Sequence, residues 1–329
     1  MQITNKIKLL LCLLVLNLVY SGCINEDLDD CIPAKQELTI QFLHNINSSY
    51  ENTLPEVLEY IDLYIYKESG DLSKYERLPK AQLDTTDYAY KTILDVGTYT
   101  LIALMNADDE YACEETTRLA DARIRIICDG NQQISAKTKA VYYGYDDKLY
   151  DNKYEEKQAV ATLDWFPVHK TINFANNTNH IEIDAKFNRH LLAGSDIEVV
   201  ISGKNGITDF VNKCPEAHPV YSYLQHDNTV VSELTYQSYI SHITTQRLWK
   251  DDGLEITLVK KEPGRADEVL ASQPLTPLLM KNPLYNNNYQ LERYDIYRLV
   301  FEFEFKENTW MLSEILVNDW KTVQQPEEL

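Results

Sequence analysis

The sequence predicts an all-β protein made of two tandem β-sandwich domains. Three observations carry this. Short stretches of period-two apolar alternation recur along the chain, which is the mark of strands with one buried and one exposed face. Helical periodicity is nearly absent. Removing the first 22 residues leaves about 300, comfortable for two domains of about 150.

The strands follow in order. Leu38, Ile40 and Phe42 alternate with Thr39 and Gln41; Ile61, Leu63 and Ile65 alternate with Asp62, Tyr64 and Tyr66. Glu68-Ser69-Gly70-Asp71 reads as a turn. Gly97 opens a strand that runs through Leu101 and Leu104 and stops near Asn106. Residues 113–122 fit a short helix, followed by strands at 123–128 and 141–145. The polar, Tyr-rich stretch 146–158 has no apolar period, so a domain boundary is expected near 164–170. Beyond it, Ile181, Ile183, Ala185 and Phe187 start a second series, and Ile197, Val199 and Ile201 continue it. Gly203-Lys204-Asn205-Gly206 is a turn, and Asn-Gly favours a type I′ hairpin. Leu254, Ile256 and Leu258 form another strand; Tyr297, Leu299, Phe301, Phe303 and Phe305 give the clearest one. The chain closes on Ile315-Leu316-Val317-Asn318-Asp319-Trp320. No period of 20–50 residues marks a solenoid or propeller.

The N-terminus reads as a secretory signal. Lys6 and Lys8 supply positive charge, an apolar run follows from Leu9 to Val19, and Ser21 and Gly22 are the small residues before Cys23. The run is shorter than the roughly 20 apolar residues a spanning helix needs. VYSGC (19–23) resembles the bacterial lipobox, with Tyr20 where Leu is usual. That resemblance implies cleavage before Cys23 and acylation of it. Residues 1–22 are then the signal peptide, 23–35 the lipidated cysteine and acidic tether, 36–165 the first sandwich and 166–329 the second. In the tether, Glu26, Asp27, Asp29 and Asp30 resemble the surface-export signal of Bacteroidetes lipoproteins; a plain solvated linker is the other reading.

A formal net charge of −20 repels nucleic acid and anionic headgroups, so neither is an expected partner and lipid must do the holding. Four cysteines remain for pairing once Cys12 leaves and Cys23 takes lipid. Sequence does not choose among the three pairings of Cys31, Cys113, Cys128 and Cys214. Cys113 and Cys128 are the favoured candidate disulfide because they flank a hairpin or helix. No GxSxG, HExxH, GxGxxG or phosphate-cradling loop occurs, and no Cys/His cluster has zinc spacing. His44, His169, His180, His190, His218, His226 and His242 are scattered. Asp146-Asp147 and Asp251-Asp252-Gly253 read as solvated turns rather than calcium loops. No catalytic residue, metal, cofactor or small-molecule substrate is expected.

Several ordered segments carry a wider resemblance: Cys23 with its acidic follower, LTIQF (38–42), IDLYIYKESGDL (61–72), LDVGTYTLIALMNADD (94–109), VYYG (141–144), INFANNTNHIEI (172–183) and ILVNDW (315–320). In this order they resemble the FimB/Mfa-type fimbrial anchor lipoprotein family, the fimbrillin-associated anchor proteins of Bacteroidetes type V pili. The most specific piece is the polar pentad NNTNH ahead of IEI. The resemblance implies transthyretin-like sandwiches, a fimbrial location on the outer membrane facing outward, multiple acylation of Cys23 with palmitate-type chains, and a pilus stalk subunit as partner. It also implies assembly by strand exchange, in which a neighbour's segment adds to an open sheet edge. About eight backbone hydrogen bonds at ~0.5–1.5 kcal/mol and three buried aliphatics at ~1.5–3 kcal/mol give a gross gain on the order of 10–20 kcal/mol. Ile315, Leu316, Val317 and Trp320 are the candidate subunit contact, either lent to a neighbour or closing their own domain.

The expected function is a non-enzymatic pilus anchor or minor subunit that ties a fibre to the outer membrane and limits its length. The alternative is a surface adhesin that binds glycan or host protein through a Tyr-rich sandwich face. Changing Cys23→Ala should remove fatty-acid labelling and release the protein from the membrane fraction; a variant that stays labelled and membrane-bound would refute the lipidation site.

Overall fold

The computed structural model describes residues 34–135, 137–146, 158–214 and 218–322. Cys23, Glu26, Asp27, Asp29, Asp30 and Cys31 lie outside the described residues. The chain is all-β, as its alternation implies. The first half contains β1 (Lys35–Ile46), β2 (Tyr60–Lys67), β3 (Leu72–Pro79), β4 (Ala89–Asp95), β5 (Gly97–Met105), β6 (Tyr111–Glu114), β7 (Arg123–Ile126), β8 (Gln133–Ile134), β9 (Tyr142–Asp146), β10 (Ala159–Leu163) and β11 (Val168–Asn176). The second half contains β12 (Thr178–Phe187), β13 (Asp196–Gly203), β14 (Ile207–Asp209), β15 (Tyr221–Leu224), β16 (Asp227–Ser232), β17 (Gln237–Gln246), β18 (Glu255–Lys261), β19 (Glu268–Pro274), β20 (Ile296–Lys306), β21 (Thr309–Val317) and β22 (Trp320–Thr322). The α-helices described are short: α1 (Leu54–Val57), α2 (Lys80–Leu83), α3 (Leu275–Leu279) and α4 (Asn288–Arg293).

The first sandwich is one sheet, ordered β3-β2-β5-β9-β11-β1-β4, folded over on itself. The fold falls at β5. Its first half, Gly97 to Leu101, pairs with β10, and only Leu104 and Met105 pair with β9. Between the two leaves lie Leu38, Ile40, Phe42, Ile61, Leu63, Ile65, Leu101, Ala103, Met105, Ile172 and Phe174, all fully buried. Two glycines in the family-like segments have steric reasons. A Cβ on Gly144 would lie 2.4 Å from Ile172 Cγ2, and Gly97 sits at φ +154°, a conformation that L side chains rarely adopt.

In the second sandwich a sheet ordered β16-β17-β12-β20-β21-β22 faces one ordered β19-β18-β13-β15-β8. The clear alternation of the sequence fills its core. Ile181, Ile183 and Ala185 meet Leu299, Phe301, Ile197, Val199, Ile256 and Leu258, and Phe187 stacks on Phe303 at 5.0 Å.

Four expectations need correction. First, Asp62, Tyr64 and Tyr66 do not face water. The second core also runs over the outer face of β2, β5 and β9, where it buries Tyr64, Tyr66, Ile102, Leu104, Tyr143 and Tyr145. Asp62 is satisfied there by a two-pronged pairing with Arg77, at 2.7 and 2.8 Å. Continuous apolar runs such as LIALM are what a sheet buried on both faces requires. Second, residues 113–122 are not a helix. Cys113 and Glu114 pair with Ile124 and Arg123 in a β6–β7 hairpin, and the Thr117 carbonyl accepts from the Leu72 amide. Third, Asn205-Gly206 turns the chain without making a β13–β14 hairpin. β13 pairs with β15 and β18, while β14 leaves to join β7. Fourth, β11 pairs in parallel with β1 and so belongs to the first sheet. The change of sheet falls at Asn177, between β11 and β12, beyond the stretch 164–170 expected from composition; β10 and β11, on either side of that stretch, both lie in the first sheet.

His44 shows how tightly the first sandwich closes. Its Nδ1 lies 2.8 Å from Thr53 Oγ1, its ring stands edge-on to Tyr142, and Nε2 has no partner among the described residues. Burial pushes its pKa down to about 4. The unfolded chain takes up this proton near pH 6.5 and the folded chain only near pH 4, so the unfolded state binds more protons in between. Stability is therefore full above about pH 6.5 and falls by about 3 kcal/mol as pH drops toward 4. The wild type should lose about that much more than His44→Gln over this range in urea denaturation; parallel pH curves would count against a buried neutral ring.

Candidate functional site

The polar pentad of the sequence forms the joint between the sandwiches. Asn176, Asn177, Thr178 and Asn179 are all buried at the passage from β11 to β12. Chain pairing cannot continue through a change of sheet, so side chains must satisfy the backbone there. Asn177 N donates to the Val141 carbonyl at 2.8 Å, and Val141 N donates to Thr178 Oγ1 at 3.1 Å. Asn177 and Asn212 exchange amide hydrogen bonds at 2.7 and 3.1 Å. Asn179 Nδ2 donates to the Gln246 carbonyl at 3.1 Å, and Asn176 Nδ2 to Asp295 Oδ2 at 3.1 Å.

An ion pair completes the joint. Arg247 is paired with Glu292, and both are almost wholly buried. The Tyr145 hydroxyl, from the first sandwich, donates to Glu292 Oε1 at 3.1 Å and accepts from Asn212 Nδ2 at 2.6 Å. Arg247 Nη1 donates to the Asn212 carbonyl at 2.8 Å. Arg293, next on α4, reaches back to the carbonyls of Asn45 and Asn47 at the end of β1, at 3.0 and 2.9 Å.

Strand lending inside the chain locks the joint from the other side. The stretch 106–141, which leaves the first sheet after β5, carries β6, β7 and β8. β7 pairs with β14, and β8 adds to β15 in parallel as the edge of the second sandwich. The fully buried Phe210 then packs at 5.0 Å against Tyr64 of the first sheet.

The candidate subunit contact divides in two. Ile315 and Val317 are buried in the chain's own core, where β21 pairs with β20, and the Val317 carbonyl accepts from Asn282 Nδ2 at 2.9 Å. They are not available to a neighbour while the domain is folded. Leu316 is half-buried. Trp320 on the edge strand β22 is half exposed. Cys113 and Cys128 do not form the candidate disulfide. The β6–β7 register sets Cys113 against Ile124, so Cys128 falls four residues further along, on the order of 13 Å. Burial pushes the Cys113 thiol up to about 11, which keeps it unreactive.

Two surface features complete the inventory. His180, His226 and His242 line an open groove with Lys137, Glu182 and Asp227, and Thr244 Oγ1 lies 3.3 and 3.2 Å from His180 and His226. Among the described residues no group of His, Cys, Asp or Glu could hold a metal ion. A second hollow of about 470 Å³ holds Arg189 over the Phe305 ring, with Trp310 beside it. No described helix is long and apolar enough to cross a membrane.

These features define a two-sandwich β protein whose halves are interlocked and whose last described strands stay in their own sheet. The sequence model of the fimbrillin-A associated anchor proteins Mfa1 and Mfa2 matches residues 28–326, and the chain belongs to that family. Solved structures share the fold. A candidate polysaccharide-binding protein of Bacteroides thetaiotaomicron superposes with TM-score 0.72 at 18% identity, covering 89% of this chain and 99% of that one. A candidate adhesin of Bacteroides ovatus gives 0.68 at 15%, covering 89% and 96%. The fimbrial anchor protein Mfa2 of Porphyromonas gingivalis gives 0.67 at 16%, covering 87% and 98%. No curated protein matches the sequence as a relative. Membership carries a fimbria-associated, adhesion-type role.

Sequence reasoning found the pentad by resemblance but missed its partners. Tyr145, Asn212, Arg247 and Glu292 stand far apart along the chain and follow no local spacing. Arg247 follows Gln246 and Glu292 precedes Arg293, each in a polar stretch of ordinary surface composition, so nothing local marked either as buried. Arg247→Met should cost about 3–5 kcal/mol, because it strands a buried carboxylate. Adding Glu292→Gln should recover part of that loss in urea unfolding. A cost under about 1 kcal/mol for the single change would mean that the pair does not hold the joint.

Proposed function

We propose that this chain is the lipid-held base subunit of a fimbria. Acylated Cys23 ties it to the outer membrane, the acidic tether of Glu26, Asp27, Asp29 and Asp30 directs it to the cell surface, and its partner is a stalk subunit of the same fimbria. It works by binding and by bearing load, not by chemistry. The observation that carries this reading is family membership over residues 28–326, beginning just after the VYSGC motif.

The retained last strand supports a role in ending the fibre. In strand exchange each subunit lends a strand to one neighbour and receives one from another. A subunit whose last described strands stay paired, β21 to β20 and β22 to β21, keeps them from a neighbour. Growth then stops where such a subunit sits. The remaining contact is at the sheet edge, where Trp320 offers an exposed aromatic of the kind that anchors interfaces.

A second reading rests on the hollow of Arg189, Phe305 and Trp310. A guanidinium stacked on an aromatic, with a second ring beside it, suits glycan or protein contact, so a surface adhesin is the alternative.

Cells lacking this chain should shed fimbriae into the medium, and re-expression should restore retention. Trp320→Ala should leave the unfolding free energy within ~0.5 kcal/mol of wild type yet reduce co-purification of the stalk subunit, whereas Ile315→Ala should cost about 2–5 kcal/mol. Fimbriae that stay attached without the chain would rule out the anchor.

A further inference from the structure

We propose that the turn bearing Trp165 and Phe166 seats the protein on the membrane, its two rings lying in the lipid interface beside the tether. Exposure draws attention to this turn first. Trp165 is 50% exposed and Phe166 74%, adjacent in sequence between β10 and β11. Large apolar side chains scattered singly need no explanation, but a cluster does. Val96 and Ile93, 36% and 67% exposed, belong to the same end of the first sandwich.

The register fixes where that end is. β1 and β11 run in parallel with Leu38 opposite Val168, so both strands enter the sheet from the same end. Followed backward, one leads to Ala34 and the other to Phe166 and Trp165. Two further contacts tie the pieces together. The Val96 amide donates to the Ala34 carbonyl at 3.3 Å, and Gly97 is the register partner of Leu163, two residues before Trp165. The described chain therefore begins beside the aromatic turn.

The length of chain ahead of Ala34 names the occupant. Ten residues lie between Cys23 and Ala34, and the eleven steps of chain, fully extended, span at most about 40 Å. A lipid on Cys23 keeps this end of the sandwich within that reach of the bilayer. Tryptophan favours the headgroup level, and Trp and Phe rings bury at the headgroup boundary; acyl chains on Cys23 hold the tether, and such a contact would hold the sandwich itself at the surface. Basic charge cannot do this in a chain of net charge −20. Apolar aromatic contact can, since it does not depend on headgroup charge. Asp164, whose carboxylate accepts from the Phe166 amide at 3.5 Å, shapes the turn so that the two rings leave it side by side in sequence.

This inference rests on the lipid-anchor reading, and the experiment separates the two. The acylated mature protein is reconstituted into phosphatidylcholine vesicles whose acyl chains carry bromine, a contact quencher of tryptophan. Flotation with the vesicles reads the lipid anchor; quenching reads the seat. The chain has four tryptophans. Wild type should float and lose a fraction of its emission near that of one tryptophan. Trp165→Phe should float equally, keep its circular dichroism and lose that quenchable fraction, and Phe166→Ser should reduce it. Wild type that floats but is not quenched, or equal quenching in wild type and Trp165→Phe, would overturn the seat and leave the anchor standing. Failure of wild type to float would overturn both.

Discussion

The Arg247–Glu292 ion pair, with the asparagines that surround it, is the contact on which the rest of the molecule depends. A buried ion pair contributes little net stability, because desolvating both charges offsets their attraction. Its effect is on geometry. Tyr145 comes from the first sandwich, Asn177 from the crossing, and Asn212, Arg247 and Glu292 from the second, and each is hydrogen-bonded to at least one of the others. Any swing of one sandwich against the other would strand several of these groups without water. The joint therefore has one good arrangement and many costly ones.

That constraint explains why the halves cannot be read as beads on a string. The face of the first sheet carrying Tyr64, Tyr66, Ile102 and Leu104 would be a large exposed apolar surface in an isolated domain. Here it is the floor of the second core. In return the first half supplies β7 and β8 to strands of the second. In the role proposed above, between a membrane and a fibre, this matters. Force applied at either end must break main-chain pairing or expose a core, rather than merely open a hinge.

Much of this was legible in the sequence. Strand positions followed from alternation, most cleanly at Leu299, Phe301 and Phe303, because period two has few other meanings. The glycines of VYYG and DVGTY stood in segments that carried the resemblance; their reasons, a close approach at Gly144 and a positive φ at Gly97, came only with the structure. Other features were hidden for physical reasons. Tyrosine suits both a wet face and a buried one, so Tyr64 and Tyr66 read as exposed. β6 through β8 are short, and their partners lie up to about half a domain away in sequence, which local patterning cannot register. β11 looked like the start of a new domain because the interruption before it is polar and long. The joint itself was visible only as a run of polar residues, NNTNH, without the distant side chains that give the run its meaning. The last strand carried the signature of a strand and nothing that told its own sheet from a neighbour's.

The central claim is that the two sandwiches form one cooperative body. Differential scanning calorimetry of the mature protein tests it most directly. The account predicts a single transition whose calorimetric and van't Hoff enthalpies agree. Two resolved transitions, each with the enthalpy of about half the chain, would contradict it.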